Sequence, residues 1–376
     1  MFKFNFINSK KEKVVILDTL TSKYVKYCIP KNINYYCIGY RKKINIILNL
    51  KFFLIFFYYF FKTKKITLSS ILSICRIKGT KIILTNIDNS EMIAKLNTYN
   101  VNLNVVMIQN GMRSHYDRHG WINIEKFPIL YGFGKYEEKL LRFMKKPINE
   151  YISAGSLKLG VYKEKFFLEK NKYEHKKNIA YISQYREGLE NDKKYKVWYD
   201  HKIKILPYLE KLDANLKIIL NCKRNTSSEK KEINFYNKIK FLNRKNIFLE
   251  KEKELDDFAS YIHCDNSEIL ISYFSTLAIE FYGIGSKVLF LAGIPGIKTV
   301  SNDFMGFLKV LPEFLKIKSN DLDEVQDKLN YLKSLPQSEY LDLTISSRTF
   351  LMNSEKGFVH ELVKKKILKI LDNQNR

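Results

Sequence analysis

Ile269-Leu270-Ile271-Ser272-Tyr273-Phe274-Ser275-Thr276-Leu277-Ala278-Ile279-Glu280-Phe281-Tyr282-Gly283-Ile284-Gly285-Ser286-Lys287-Val288-Leu289-Phe290-Leu291 reads as a buried strand, a short helix and a second buried strand. The first strand ends at Ser272, the hydroxyls of Ser275 and Thr276 open the helix, and Gly283 and Gly285 close it. Strands this uniformly apolar, joined through a helix, belong to a parallel sheet covered on both faces. A helix start with two hydroxyls and unpaired N–H groups is an anion site, suited to the phosphate of a nucleotide. Glu280 lies four residues after Thr276, one turn along the same face. There it either accepts hydrogen bonds from ribose hydroxyls or stands as a solvated carboxylate behind a plain cap.

The same alternation runs along the whole chain. In the first half, strands are expected at 14–17, 35–38, 81–85, 105–108 and 129–132, with helices near 46–62, 66–77, 89–98 and 135–145. In the second half, strands are expected at 179–183, 216–221, 247–249, 269–272 and 288–291, with helices near 197–213, 229–243, 255–263, 275–284, 321–334 and 354–372. After Ala154-Gly155-Ser156 the composition turns rich in Lys and Glu. The expectation is an α/β protein of two Rossmann-like lobes with a cleft between them: a first lobe over 1–156, a linker over 157–178, and a second lobe over 179–350. A final helix in 351–376, with Phe358, Val359, Leu362, Ile367, Leu368 and Leu371 on one stripe, is expected to pack back toward the first lobe.

The 376 residues are 45% hydrophobic and 28% charged, which excludes a wholly disordered chain. A net charge of +26 invites a nucleic-acid or membrane reading, yet only ten of the 65 basic residues are Arg. The Lys excess comes with abundant Ile, Asn, Phe and Tyr, as an A/T-rich coding sequence produces. No Arg-rich helix and no interleaved aromatic-basic motif supports specific nucleic-acid binding. The five cysteines include no C-x-x-C pair, so neither a disulfide framework nor a zinc site is expected, and a reducing cytoplasm fits best. The start of the chain does not resemble a secretory signal. Phe52 to Phe61 is an unbroken apolar run closed by Lys62, Lys64 and Lys65; it is too short to span a bilayer and is either a buried helix or one dipping into a single leaflet.

Ser272-Tyr273-Phe274-Ser275-Thr276, Leu277-Ala278-Ile279-Glu280 and Gly283-Ile284-Gly285-Ser286-Lys287-Val288-Leu289 together resemble the donor-binding segment of GT-B-fold glycosyltransferases of bacterial surface polysaccharide (capsule, lipopolysaccharide or glycan) biosynthesis. The likeness is greatest to members that use CMP-sugar and CDP-polyol donors. Leu130-Tyr131-Gly132-Phe133-Gly134 and Tyr151-Ile152-Ser153-Ala154-Gly155-Ser156 resemble the exit from the first lobe of that superfamily. The resemblance implies a nucleotide-sugar donor held by the second lobe, a glycan or lipid-linked acceptor held by the first, and neither metal nor cofactor. It also implies a cytoplasmic enzyme, with peripheral contact at the inner face of the inner membrane.

Under that resemblance Ser275 and Thr276 contact donor phosphate, and Glu280 contacts the ribose or sugar. Ser183, Gln184 and Arg186, after the second lobe's first strand, add donor contacts, with Arg186 neutralising the departing phosphate. Asn221, Cys222, Lys223 and Arg224 end the next strand at the same edge. The loop Gly293-Ile294-Pro295-Gly296 and Asn302-Asp303-Phe304 is expected near the site. In the first lobe, Gln109-Asn110-Gly111-Met112-Arg113-Ser114-His115-Tyr116-Asp117-Arg118-His119 follows a strand and needs a permissive backbone at its Asn-Gly turn. Asp117 or His115 is the expected general base, and Asn110, Gly111, Arg113 and Arg118 place the acceptor. Related polyol-phosphate transferases carry His-Gly where this chain has Asn110-Gly111. His119 is expected to be a loop histidine bonded to backbone, and Asp18-Thr19 to be a helix cap or an acceptor contact. The alternatives are a CDP-polyol phosphotransferase, a nucleotide-sugar epimerase of related fold, and, from another class, a non-catalytic polyanion- or membrane-binding protein.

Overall fold

The computed structural model describes residues 3–5, 10–39, 45–47, 50–113, 121–166, 178–189, 192, 195–213, 215–221, 226–239, 258–291, 306–353 and 357–373. The chain divides into two compact units, Met1–Val161 with Asn353–Arg376, and Tyr162–Met352. Each is an α/β lobe built on a wholly parallel sheet.

In chain order the first unit holds β1 (Lys3–Asn5), β2 (Val14–Leu17), β3 (Tyr35–Ile38), β4 (Asn45–Ile47), β5 (Ile82–Thr85), β6 (Asn104–Ile108), β7 (Phe127–Gly132) and β8 (Ile148–Ser153). Strands β1 and β4 form a separate parallel pair, and the remaining six run in the order β3-β2-β5-β6-β7-β8. The five expected strands are all present. They were legible because β2 and β5 are buried at every position and β6 and β7 nearly so. Strand β8 escaped notice because its sequence Ile-Asn-Glu-Tyr-Ile-Ser mixes polar residues into a half-exposed edge. Its Tyr151 hydroxyl donates to Gly134 O at 2.5 Å. Gly132 permits this closeness, since a Cβ there would overlap the Tyr151 ring.

The segment expected to be a linker begins as a helix, Leu157–Phe166, whose Leu157, Leu159, Val161 and Tyr162 are buried. At the other end of the chain, Asn353 N–H donates to Phe133 O at 2.8 Å. The helix Val359–Asp372 then buries Val359, Val363, Ile367 and Leu371 at four-residue spacing, with His360 beside them. The stripe is therefore narrower than expected, and Phe358 and Leu368 are exposed. Its Lys366 pairs with Glu150 of β8.

The second unit holds β9 (Ile179–Ile182), β10 (Lys217–Ile219), β11 (Ile269–Ser272) and β12 (Lys287–Phe290), in the order β10-β9-β11-β12. The expected strand at 247–249 lies outside the described residues. Helices at Lys196–Leu212, Ser227–Asn237, Ala259–Asp265, Thr276–Gly283 and Leu322–Ser334 fall within a few residues of expectation. The helix Gln337–Leu351 was not foreseen, because three of its four buried residues, Tyr340, Thr344 and Ser347, carry hydroxyls and give no apolar stripe. Those hydroxyls are used in packing: Tyr340 donates to Ser286 O at 2.8 Å, and Ser347 shares a hydrogen bond with Tyr282 at 2.5 Å. Cys28, Cys37, Cys75 and Cys264 are unpaired thiols; Cys222 lies outside the described residues. Among the described residues no helix is long and apolar enough to cross a membrane.

Candidate functional site

Both sheets reverse their strand order beside their first strand, between β2 and β5 and between β9 and β11. Ligands of open α/β sheets bind outside the carboxyl ends of the strands at such points.

In the second lobe, Gln184 follows β9 and its Oε1 accepts from Phe274 N–H, just after β11, at 2.9 Å. This bond ties the two loops together across the reversal point. Asn221, after β10, joins the same edge by donating from Nδ2 to Tyr185 O at 2.9 Å. The backbone of Arg186 is clamped by Tyr199, whose hydroxyl accepts from Arg186 N–H at 3.1 Å and donates to Arg186 O at 3.0 Å. The guanidinium itself is exposed and, among the described residues, forms no ion pair. On the other side of the Gln184 bond, Ser275 is the N-cap of the helix Thr276–Gly283 and its hydroxyl makes no capping bond. The first intrahelical bond runs from Ile279 N–H to Ser275 O at 3.2 Å, and the Ser275 N–H itself donates to Ser272 Oγ at 3.2 Å. Arg186 and the helix start at Ser275 thus follow two strand ends whose loops are joined by the Gln184–Phe274 bond.

Two donor-site expectations need correction. Ser183 is buried, and its hydroxyl bonds to Glu232 and accepts from Tyr236 at 2.5 Å. It secures the strand end from within and is not presented to a ligand. Glu280 is 4% exposed and accepts from the Tyr261 hydroxyl at 2.6 Å, so it is neither a solvated carboxylate nor open to a ribose in this arrangement. Sharing a helix face with Thr276 did not mean sharing its exposure, because Thr276 is half-buried while the next turn packs against Ala259–Asp265. Glu232 was missed. It is fully buried and accepts from Asn221 N–H at 3.0 Å, joining β9 to β10. Cys222, Lys223, Arg224 and the 293–304 loop residues lie outside the described residues.

In the first lobe, Asp88 is wholly buried after β5 and accepts from Arg113 Nε at 2.8 Å, from a second nitrogen of the same guanidinium, and from Trp121 Nε1 at 3.1 Å. Arg113 is therefore engaged in a two-pronged ion pair and is not offered to an anionic acceptor. Asn110 is exposed but bonded within the loop, with Nδ2 donating to Asn86 O at 2.8 Å and Oδ1 accepting from Arg113 at 2.7 Å. Gly111 accepts at its carbonyl from Gln109 Nε2 at 2.8 Å, and its backbone is not in the left-handed region that the Asn-Gly turn was expected to need. These residues form a self-bonded pedestal after β6. His115, Asp117, Arg118 and His119 lie outside the described residues. Asp18 is buried with φ 93° and accepts from Leu20 N–H at 3.2 Å, shaping the turn after β2.

Behind the pedestal stands Glu137, also fully buried. Burial pushes its carboxyl up to about 7, against the opposing pull of bonds from Gln109 Nε2 at 3.1 Å and Gly134 N–H at 3.1 Å. The spacing Gly134-x-x-Glu137 is that of a helix capping box, the signal by which it could have been found. The folded chain keeps this proton to about pH 7, whereas the model-compound value is 4.5. More protons are therefore bound in the folded state across that window, and stability falls as pH rises through it, by about 3 kcal/mol in all. Glu137→Gln removes the slope. Urea melts of both proteins should show the parent losing stability relative to Glu137→Gln from pH 4.5 to 7, with a level difference on either side. A difference independent of pH would contradict the assignment.

No known protein family matches the sequence, and no curated protein matches it either. Solved structures do match in fold. The wall teichoic acid polymerase TagF superposes with a TM-score of 0.55 at 12% identity, covering 98% of this chain and 91% of that one. A UDP-GlcNAc 2-epimerase from Neisseria meningitidis, bound to UDP-GlcNAc, gives 0.55 at 14% identity, covering 98% and 100%. A glycosyltransferase from Rickettsia africae gives 0.51 at 13% identity, covering 96% and 97%. At these identities the likeness establishes the fold: two Rossmann-like lobes of the GT-B type.

Proposed function

We propose that the chain is a nucleotide-sugar-dependent glycosyltransferase that carries a sugar onto a glycan or lipid-linked glycan acceptor at the cytoplasmic face of a membrane. The observation that supports this reading is the Gln184–Phe274 bond, which joins the loop that leads to the exposed Arg186 to the loop that leads to the helix start at Ser275. A diphosphate or monophosphate leaving group gains charge as the glycosidic bond breaks. A guanidinium and helix N–H groups aimed at the leaving group stabilise that charge more in the transition state than in the ground state. The same work is done by a divalent cation in other transferases, so the reading assigns no metal and no cofactor to this chain. Asp117 or His115, a few residues after Arg113 in the sequence, is the proposed base for the acceptor hydroxyl. Fold likeness to an epimerase and to a polymerase makes product identity the deciding experiment. The full chain is incubated with nucleotide sugars in the presence of EDTA, with and without membrane glycolipid extract. Nucleotide release that requires the extract supports transfer. A changed sugar on intact donor, formed without extract, would identify an epimerase, and CMP release from an added CDP-polyol with polyol phosphate joined to the extract's acceptor would identify the phosphotransferase.

A further inference from the structure

The helix Leu50–Thr63 is apolar on two opposite faces. One face is accounted for: Phe52 and Tyr59 are 4% and 2% exposed, Ile55 and Phe56 pack on the core, and the Phe56 ring stacks between Phe52 and Phe60 at 5.9 Å from each. The opposite face carries Leu50, Phe53, Leu54, Phe57, Tyr58 and Phe61, all exposed, at the spacing i, i+3, i+4, i+7, i+8, i+11. Leu50 is 77% exposed, and Leu54 and Phe61 are each 67% exposed. Six large apolar side chains in one continuous stripe mark a contact surface, since isolated apolar residues need no explanation but a patch does.

Charge decides what the surface meets. Lys51, Lys62, Lys64 and Lys65 are exposed around the stripe. The last two sit on a tight turn that Lys64 makes at φ 55°, closed by the Thr63–Ser69 hydroxyl pair at 2.8 Å. Lys62 Nζ lies 4.4 Å from the centre of the Tyr58 ring, on the flank of the stripe. Between Asp18 and Asp88 the sequence has 13 Lys and Arg and no Asp or Glu, half of the whole chain's net +26. A second copy of this face would bring its lysines against these, which like-charge repulsion opposes. An anionic bilayer complements both parts, with acyl chains for the stripe and headgroups for the lysines. A helix of 14 residues is about 21 Å long, shorter than the ~30 Å hydrocarbon layer, and its inner face is held by the lobe. We propose that this face docks on an anionic lipid bilayer, with the helix in the interfacial plane and Leu54, Phe57 and Phe61 at the acyl boundary.

The proposal stands apart from the reaction, and its test uses no donor. The full chain is sedimented with vesicles of phosphatidylcholine alone or with phosphatidylglycerol added, at low and high salt. Binding should require phosphatidylglycerol and weaken in salt. The pair Phe57→Gln with Phe61→Gln should lower vesicle affinity about tenfold or more, and Lys62→Gln with Lys65→Gln should flatten the salt dependence. These side chains are exposed, so unchanged melting temperatures accompany the losses. The proposal is overturned if the chain stays in the supernatant with both vesicle types or if the Phe57 and Phe61 changes leave binding intact. It is equally overturned if those changes disperse a dimer while vesicles are never bound.

Discussion

Asp88→Ala will lower the stability of the first lobe by about 3–5 kcal/mol, the loss that follows when one member of a buried ion pair is removed. Asp88 is wholly buried and the side chain of Arg113 only 11% exposed, so the guanidinium left behind can recover little hydration. The Trp121 indole N–H, donating to the same carboxylate at 3.1 Å, is orphaned as well. Arg113→Ala should cost a similar amount for the complementary reason, leaving a buried carboxylate without its cation. The double variant should then lose much less than the sum of the two, because the second deletion removes an already unpaired charge. Denaturant melts of the four proteins close this cycle. If Arg113 were an acceptor contact, its replacement would raise the acceptor KM and leave stability within about 0.5 kcal/mol of the parent, as for other surface changes.

Arg186→Ala, in contrast, should leave folding untouched and reduce kcat/KM for the nucleotide-sugar donor by about 100- to 1000-fold, the usual cost of deleting one donor aimed at a developing oxyanion. Its backbone stays clamped, since the Tyr199 hydroxyl bonds the main-chain N–H and C=O and not the guanidinium. Arg186→Lys should recover part of the loss, because the ammonium keeps the charge without the forked geometry. Glu187 and Lys231 pair with each other on the same surface and serve as controls. Their replacement should shift turnover little, and an equal fall in those variants would indicate general charge attraction in place of a specific contact.

The parallel lobes were legible because their central strands are buried on both faces and appear as unbroken apolar runs, as in Val14–Leu17, Ile82–Thr85 and Ile269–Ser272. Periodicity fails where burial is polar. The helix Gln337–Leu351 buries hydroxyls, and strand β8 alternates around Asn149 and Glu150, so neither gave an apolar pattern. The strand ends that frame the candidate site were legible. Each strand's carboxyl end carries the polar residues, and the helix start after β11 is where Ser275 and Thr276 put it. Side-chain allegiance was not legible. Arg113 is indistinguishable in sequence from a ligand-binding arginine until Asp88, 25 residues earlier, is brought against it. Ser183 and Glu280 similarly turn inward to partners, Glu232 and Tyr261, that lie 49 and 19 residues away. Those pairings depend on tertiary contacts that no local pattern encodes.

The central claim is that the second lobe's edge recognises a nucleotide, and nucleotide-dependent melting of the full chain tests it most directly. CMP, CDP, UDP, GDP and TDP are compared at equal concentration, with inorganic sulfate and heparin as polyanion controls and Arg186→Ala beside the parent. A ligand present at 100 times its Kd stabilises by about 2.7 kcal/mol, ample for detection. The account predicts that one nucleotide raises the melting temperature well above the others, that the polyanions do not reproduce the shift, and that Arg186→Ala loses most of it. Equal shifts for every nucleotide and for heparin, or no shift for any, would contradict it.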